Sequence, residues 1–186
     1  AGKCLCSRVV ESFGDMVVDG ICELDDDDAA MARVTFPHAA VTQDVCSREW
    51  RLWARSPDVL FLLACTPCNP VADSGRHEGL SSPDIYITVS AMPEVVSYFG
   101  IPFFAGEQHY QLAQLDDGSV LEAFDGGMAA VGLVRTPIVD EHPGGVEVFQ
   151  DLNHPEQRRR LALHYERSDM IDLIGPCPQL RLPTHA

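Results

Sequence analysis

The segment HYQLAQLDDGSVLEAFDGG, residues 109–127, constrains the fold more than any other stretch. Two alternating runs flank Asp117-Gly118, and a glycine at that point supplies the positive φ that a tight hairpin turn demands. An antiparallel hairpin across Asp117 is therefore expected. Further strands are expected around it. RVVESF, MVVDGICEL and MARVTF are apolar, β-branched runs, broken by Gly14-Asp15 and by Asp25–Asp28. DVLFLLAC reads as a buried strand. DIYITVSA alternates, with Ile85, Ile87 and Val89 on one face. AAVGLVRTPIVD and GGVEVFQDL continue the sheet, Pro137 marking an edge or a bulge.

Helical signals are fewer. TQDVCSREWRLWARS has partial helical spacing and ends at Ser56-Pro57. MPEVVSYFG is a short helix, with Pro93 in its first turn and Gly100 at its stop. NHPEQRRRLALHYERSDMIDLIG reads as a C-terminal helix, capped by Asn153 and stopped by Gly175; Leu163, Met170, Ile171 and Ile174 form its apolar face. TPCNPVADSGRHEGLSSP, residues 66–83, is the clearest loop, and loops of that length are functional or mobile. The element order predicts an α+β fold, with a short central helix and a C-terminal helix packed on a mainly antiparallel sheet. A length of 186 residues with 46% hydrophobic side chains suits one core, so residues 1–186 are read as a single domain.

No window approaches the apolar length of a membrane span, and AGKCLCSRVV lacks the apolar core of a signal peptide. The formal charge of −15 creates a field that repels nucleic acid and anionic lipid and attracts basic proteins. Seven cysteines, an odd number, and the lack of any Asn-x-Ser/Thr sequon favour a reducing, cytoplasmic compartment. The cysteine density keeps a secreted, disulfide-stapled form open.

Five constellations bear on chemistry. Cys65 and Cys68 have the spacing for one side of a zinc site that Cys4 and Cys6, or His77, would complete, or for a disulfide or structural thiols; Pro67, Asn69 and Pro70 argue against a redox motif at a helix start. His77-Glu78 has the wrong order and spacing for a deaminase. Asp73-Ser74-Gly75-Arg76-His77 holds triad residue types, but triads assemble from distant positions, so turn chemistry is the simpler reading. Asp25, Asp26, Asp27 and Asp28 lack the alternation and central glycine of a calcium loop, and read as a solvated turn or a partner-facing patch. Arg158–Arg160 would offset Glu156 and Glu166 on a helix surface more simply than grip phosphate.

The stretches MPEVVSYFG and YQLAQLDDGSVLEAFDGGMAAVGL resemble the SUKH superfamily, which includes the herpesvirus US22 family. Tyr110, Leu112, Asp116, Gly118, Val120 and Phe124 fall where its strand–acidic–Gly–strand pattern would put them. The resemblance implies a non-enzymatic binder, either an immunity protein against basic toxins or a viral antagonist of host defence. Charge and resemblance together predict an acidic, cofactor-free interaction protein that covers a basic partner. Asp25–Asp28, Asp116 and Asp117 would steer, and Trp50 or Trp53 would anchor. The alternatives are a secreted decoy for basic cytokines or chemokines, and a small zinc enzyme or zinc-stabilised module on Cys65, Cys68 and His77.

Overall fold

The computed structural model describes residues 17–54, 59, 61–67, 70, 78–136, 147–150 and 159–167, with backbone alone for residues 107, 110, 147–150 and 159–162. The chain divides into two compact units. One comprises residues 1–59 with Tyr98–Gly100, the other residues 60–97 with 101–186. Helices and a mixed sheet give the α+β class expected. No helix among the described residues is long and apolar enough to cross a membrane.

In the first unit, β1 (Gly20–Cys22) and β2 (Ala40–Thr42) pair in parallel around α1 (Asp26–Thr35). The run MARVTF, expected as a strand, forms the later part of α1. Two local causes explain this correction. Asp25 is the N-cap: its Oδ1 accepts from the backbone N–H of Asp27 at 2.9 Å and of Asp28 at 3.1 Å. Ala29, Ala30, Met31 and Ala32 then favour helix, and β-branched Val34 and Thr35 come only at its end. The unit's core is aromatic. Trp50 is 1% exposed, donates from Nε1 to Val45 O at 2.6 Å, and meets Tyr98 edge-on at 5.3 Å between centroids. The stretch around it, expected as helix, forms two 3-10 turns, Val45–Ser47 and Glu49–Leu52. Arg48 separates them at φ 61, a left-handed conformation that breaks a continuous helix.

In the second unit, β3 (Phe61–Cys65) pairs in parallel with β4 (Phe103–His109), and β4 pairs antiparallel with β7 (Arg159–Arg167). β5 (Leu133–Arg135) and β6 (Glu147–Gln150) lie in succession along the other edge of β7. A parallel pair needs a crossover, and α2 (Met92–Phe99) provides it. DIYITVSA, expected as a strand, is the helical lead-in to α2, with a π-helical turn over Ile87–Ala91. Buried Ile85, Thr88, Met92, Val95 and Val96 carry the helical period, which the short run 85–89 cannot distinguish from alternation. Pro93 lacks an N–H for the carbonyl of Val89, and the π turn lies where that bond is missing.

The expected hairpin across Asp117 is also corrected. Asp116, Asp117 and Gly118 do adopt positive φ (52°, 56° and 88°), but Gly118 caps α3 (Ser119–Ala130) instead of joining strands. Val120, Leu121, Phe124 and Met128 are the buried face of α3. Phe124 packs edge-on against Phe104 and Tyr165, with centroids 5.6 Å and 5.3 Å away. Against expectation, residues 159–167 of the C-terminal helix are the strand β7; the remainder, including Asn153, Met170, Ile171, Ile174 and Gly175, lies outside the described residues. Alternation of Leu163, His164 and Tyr165, with pairing on both edges, makes this stretch a central strand. Sequence reading assigned no element to residues 101–108, which supply the other central strand, β4.

Candidate functional site

Parallel strands gather their carboxyl ends on one edge, and in open α/β sheets that edge is where ligands bind. Each unit has such an edge, with its own chemistry.

In the first unit, Glu23 follows β1 and Asp44 follows β2, both half-buried. The Glu23 N–H donates to Thr42 O at 3.0 Å, which ties the two strand ends together. Asp44 Oδ1 accepts from the N–H of Cys46 at 2.8 Å, so one carboxylate oxygen is used for capping. Two carboxylates at neighbouring strand ends make an edge able to accept hydrogen bonds from hydroxyls or amino groups. Beside them, Cys22 Sγ lies 3.1 Å from Thr42 Oγ1.

In the second unit the edge is built around a neutral amide. Gln108, near the end of β4, is 1% exposed. Its Nε2 donates to Thr66 Oγ1 at 2.8 Å, Pro67 O at 3.0 Å and Thr66 O at 3.3 Å. Its Oε1 accepts the N–H of His109 at 2.7 Å. Thr88, in the π-helical turn, donates to Thr66 Oγ1 at 2.9 Å. An amide buried this deeply is costly without partners, and here both of its ends are satisfied. These bonds fasten the exit from β3 at Thr66-Pro67 to β4 and to the π-helical turn, and the next residue in the chain is Cys68. Register brings a further residue to this end: Arg160 of β7 pairs with His109 of β4.

Two other polar clusters are structural. Tyr165 donates to Asp125 Oδ1 at 2.6 Å, and Arg135 Nη2 lies 3.0 Å from Asp125 Oδ2. Burial, and then the bond to Asp125, push the Tyr165 phenol pKa well up. On the opposite face of β7, His164 Nδ1 sits 2.6 Å from Thr136 Oγ1 and 3.5 Å from Glu166 Oε1. Burial lowers the His164 pKa, and Glu166 partly offsets it. Thr136 and Glu166 both address Nδ1, so the group is not a nucleophile–base–acid relay, in which the acid would hold the other ring nitrogen.

The expected site residues scatter. Asp25–Asp28 sit together, but as the cap and first turn of α1, where they complement the helix dipole. Trp50 is core. Trp53 packs on backbone: a Cβ on Gly20 would lie 2.1 Å from its ring. Asp116 and Asp117 belong to the other unit, at the left-handed turn before α3, and a Cβ on Gly79 would lie 2.2 Å from Asp116 Oδ2. Cys65 ends β3, while Cys68 and His77 lie outside the described residues. Among the described residues no group of three or more His, Cys, Asp or Glu side chains could hold a metal ion. Sequence reading missed Gln108, Glu23 and Asp44. Gln108 left one signal, an amide beside Glu107 at the end of the apolar run IPFFAG.

No protein-family model and no curated protein matches the sequence. Solved structures do match in fold. One is a DNA modification methyltransferase encoded within an E. coli prophage, at TM-score 0.57 and 14% identity over 82% of this chain. Another is a mutant of Spodoptera frugiperda DNMT2, at TM-score 0.51 and 12% identity over 87% of this chain. The chain spans 41% and 46% of those two chains, less than half of each.

This likeness to methyltransferase folds overturns the reading of the chain as a non-enzymatic acidic binder. The immunity-protein, host–virus and immune-evasion expectations fall with it. So do the secreted decoy, the basic protein partner, the exclusion of nucleic acid and the expectation of no cofactor. The physical reason is that net charge is a sum. It says nothing of where charges sit, and the run that dominated the argument, Asp25–Asp28, caps and stabilises a helix.

Proposed function

We propose that this chain is part of a methyltransferase acting on nucleic acid, with S-adenosylmethionine as methyl donor and Cys68 as covalent nucleophile. The observation that carries the reading is the fold match at TM-score 0.57 over 82% of the chain. The acceptors at the first unit's edge fit the cofactor: Glu23, whose Oε1 takes the Asp25 N–H at 3.2 Å, keeps its other oxygen for a ribose diol, and the second oxygen of Asp44 has the chemistry to accept from an amino group. When bound, the cofactor supplies an electrophilic methyl group on a sulfonium sulfur.

The chain's own contribution is nucleophilic. A Cys68 thiolate adding to an electron-poor ring carbon of a base forms an S–C bond and makes the adjacent carbon electron-rich. After that carbon is methylated, loss of its proton breaks the S–C bond, expels the thiolate and restores the ring. A base inside a duplex must first leave the stack to be reached. In so acidic a chain, affinity for phosphate needs local cations, and Arg159 and Arg160 open β7, with Arg160 paired to His109 at the edge where β3 and β4 end. The compartment favoured is cytoplasmic, where thiols stay reduced.

Transfer of a labelled methyl group from S-adenosylmethionine to DNA or RNA tests the reading. Label is expected in nucleic acid with the wild-type chain, and Cys68→Ser should lower transfer by on the order of a thousandfold or more. Equal labelling by wild type and Cys68→Ser would remove Cys68 from the role. No labelling of DNA or RNA would remove the function.

A further inference from the structure

We infer that His164 is a two-position switch: without a second ring proton it is held by Thr136, and with one its Nδ1–H goes to Glu166 and the last rung between β5 and β7 loosens. The device belongs to the sheet and does not rest on the proposed function. The ladder of β5 with β7 runs from Leu133 opposite Arg167 to Arg135 opposite Tyr165. Thr136 continues it by one step and is fastened to His164 twice. Its N–H donates to His164 O at 2.9 Å, and its hydroxyl oxygen lies 2.6 Å from the ring's Nδ1. A hydroxyl can donate or accept, so it serves either neutral tautomer.

Glu166 is the competing partner. It stands two residues along β7 on the same face, its side chain 6% exposed, with Oε1 3.5 Å from Nδ1. That is too long for a charge-assisted bond, which closes to about 2.7–2.9 Å. Among the described residues, His164 is the basic group paired with this buried carboxylate. The flanking strands offer nothing that titrates beside the pair: β4 sets Phe103 opposite Glu166 and Ala105 opposite His164, and β5 sets Val134 opposite Glu166. By register the next acids are Glu107 of β4 and Glu147 of β6, both opposite Ala162, while Arg135 lies against Asp125 on the other face. A protonated ring carries a hydrogen on Nδ1 and a charge. A carboxylate then binds it about twice as strongly as a hydroxyl does, so the ring moves to Glu166 and Thr136 keeps one bond of its two. Burial of the ring lowers the His164 pKa, with Glu166 opposing, so the switch turns below the ordinary imidazole value of about 6.5.

Solution NMR over a pH series tests this, reading the His164 ring and the backbone amides together. From about pH 7.5 to about pH 5, protection of the Thr136 N–H against exchange, corrected for the intrinsic rate, should fall by on the order of tenfold, with the midpoint of His164 itself. Amides of β4 should hold. Thr136→Val keeps the backbone bond and removes the hydroxyl, so the amide at position 136 should be weakly protected already at the upper pH and change little below it. Glu166→Gln removes the charge that draws the ring and should move both midpoints to lower pH. Constant protection at Thr136 over the series would overturn the inference. So would a loss shared equally by β4, which is general loosening by acid, or a His164 midpoint unmoved in Glu166→Gln. If Glu166→Gln does not fold, the wild-type series still decides, because protection at Thr136 must follow the His164 ring.

Discussion

The two units carry the same motif, a parallel strand pair with a helical crossover, and bury it very differently. In the first, α1 buries only Ala29, while Met31 and Val34 are 63% and 78% exposed. In the second, the crossover helix α2 buries Met92, Pro93, Val95 and Val96, and α3, which follows the strand pair, buries Val120, Leu121, Phe124 and Met128, with Phe124 joining Phe104 and Tyr165 in a ring-on-ring cluster. A helix like α1 relies on its ends: the Asp25 cap and the acidic first turn replace what its face does not supply. A helix like α3 relies on its face. In the structure the charged run serves as local stabilisation: Asp25 caps α1, and Asp26, Asp27 and Asp28 form its acidic first turn.

The largest break in that comparison should come from truncating each helix's apolar side chains. Phe124→Ala should cost about 3–5 kcal/mol in denaturant unfolding, while Val34→Ala in α1 should stay within about 0.5 kcal/mol. Comparable losses would mean that α1 is buried as deeply as α3.

A sharper contrast lies within α3, between adjacent glycines. A Cβ on Gly127 would sit 2.9 Å from Val89 O and 3.0 Å from Pro93 Cγ, whereas Gly126 has nothing within 4 Å. Gly127→Ala should lower stability by about 1–3 kcal/mol, because the helix must move off the π turn. Gly126→Ala should raise it by about 0.5–1 kcal/mol by reducing the freedom of the unfolded chain. Thermal melts of the pair read both signs at once.

Smaller again is the cap. Asp25→Ala should cost about 1 kcal/mol, and Asp25→Asn much less, since an amide oxygen can still accept from Asp27 and Asp28. Equal losses from both would assign the effect to charge.

The smallest expected effect is a pH dependence in the second unit. The folded pKa of His164 is lowered, so the unfolded chain binds the proton more tightly. Its contribution is complete above the unfolded value of about 6.5 and is lost as pH falls below it. His164→Asn should flatten that part of the stability–pH curve, measured by urea midpoints.

The sequence by itself determined where the chain punctuates. Gly100 ends α2 at φ +66°, Gly118 takes a positive φ, and the run FLLAC is a strand, because backbone sterics and unbroken apolar runs act locally. It also determined that an α+β fold results. The kind of element on either side of several of those marks was decided by tertiary structure. Ile85–Val89 became helix, and Arg159–Arg167 became a central strand, because a short apolar run fits either period until it has neighbours. Gly118 caps a helix because Phe104 and Tyr165 offer Phe124 a place to pack. The meeting of Gln108 with Thr66 and Pro67 likewise depends on the register of β3 with β4, a pairing across some forty positions that no local pattern encodes.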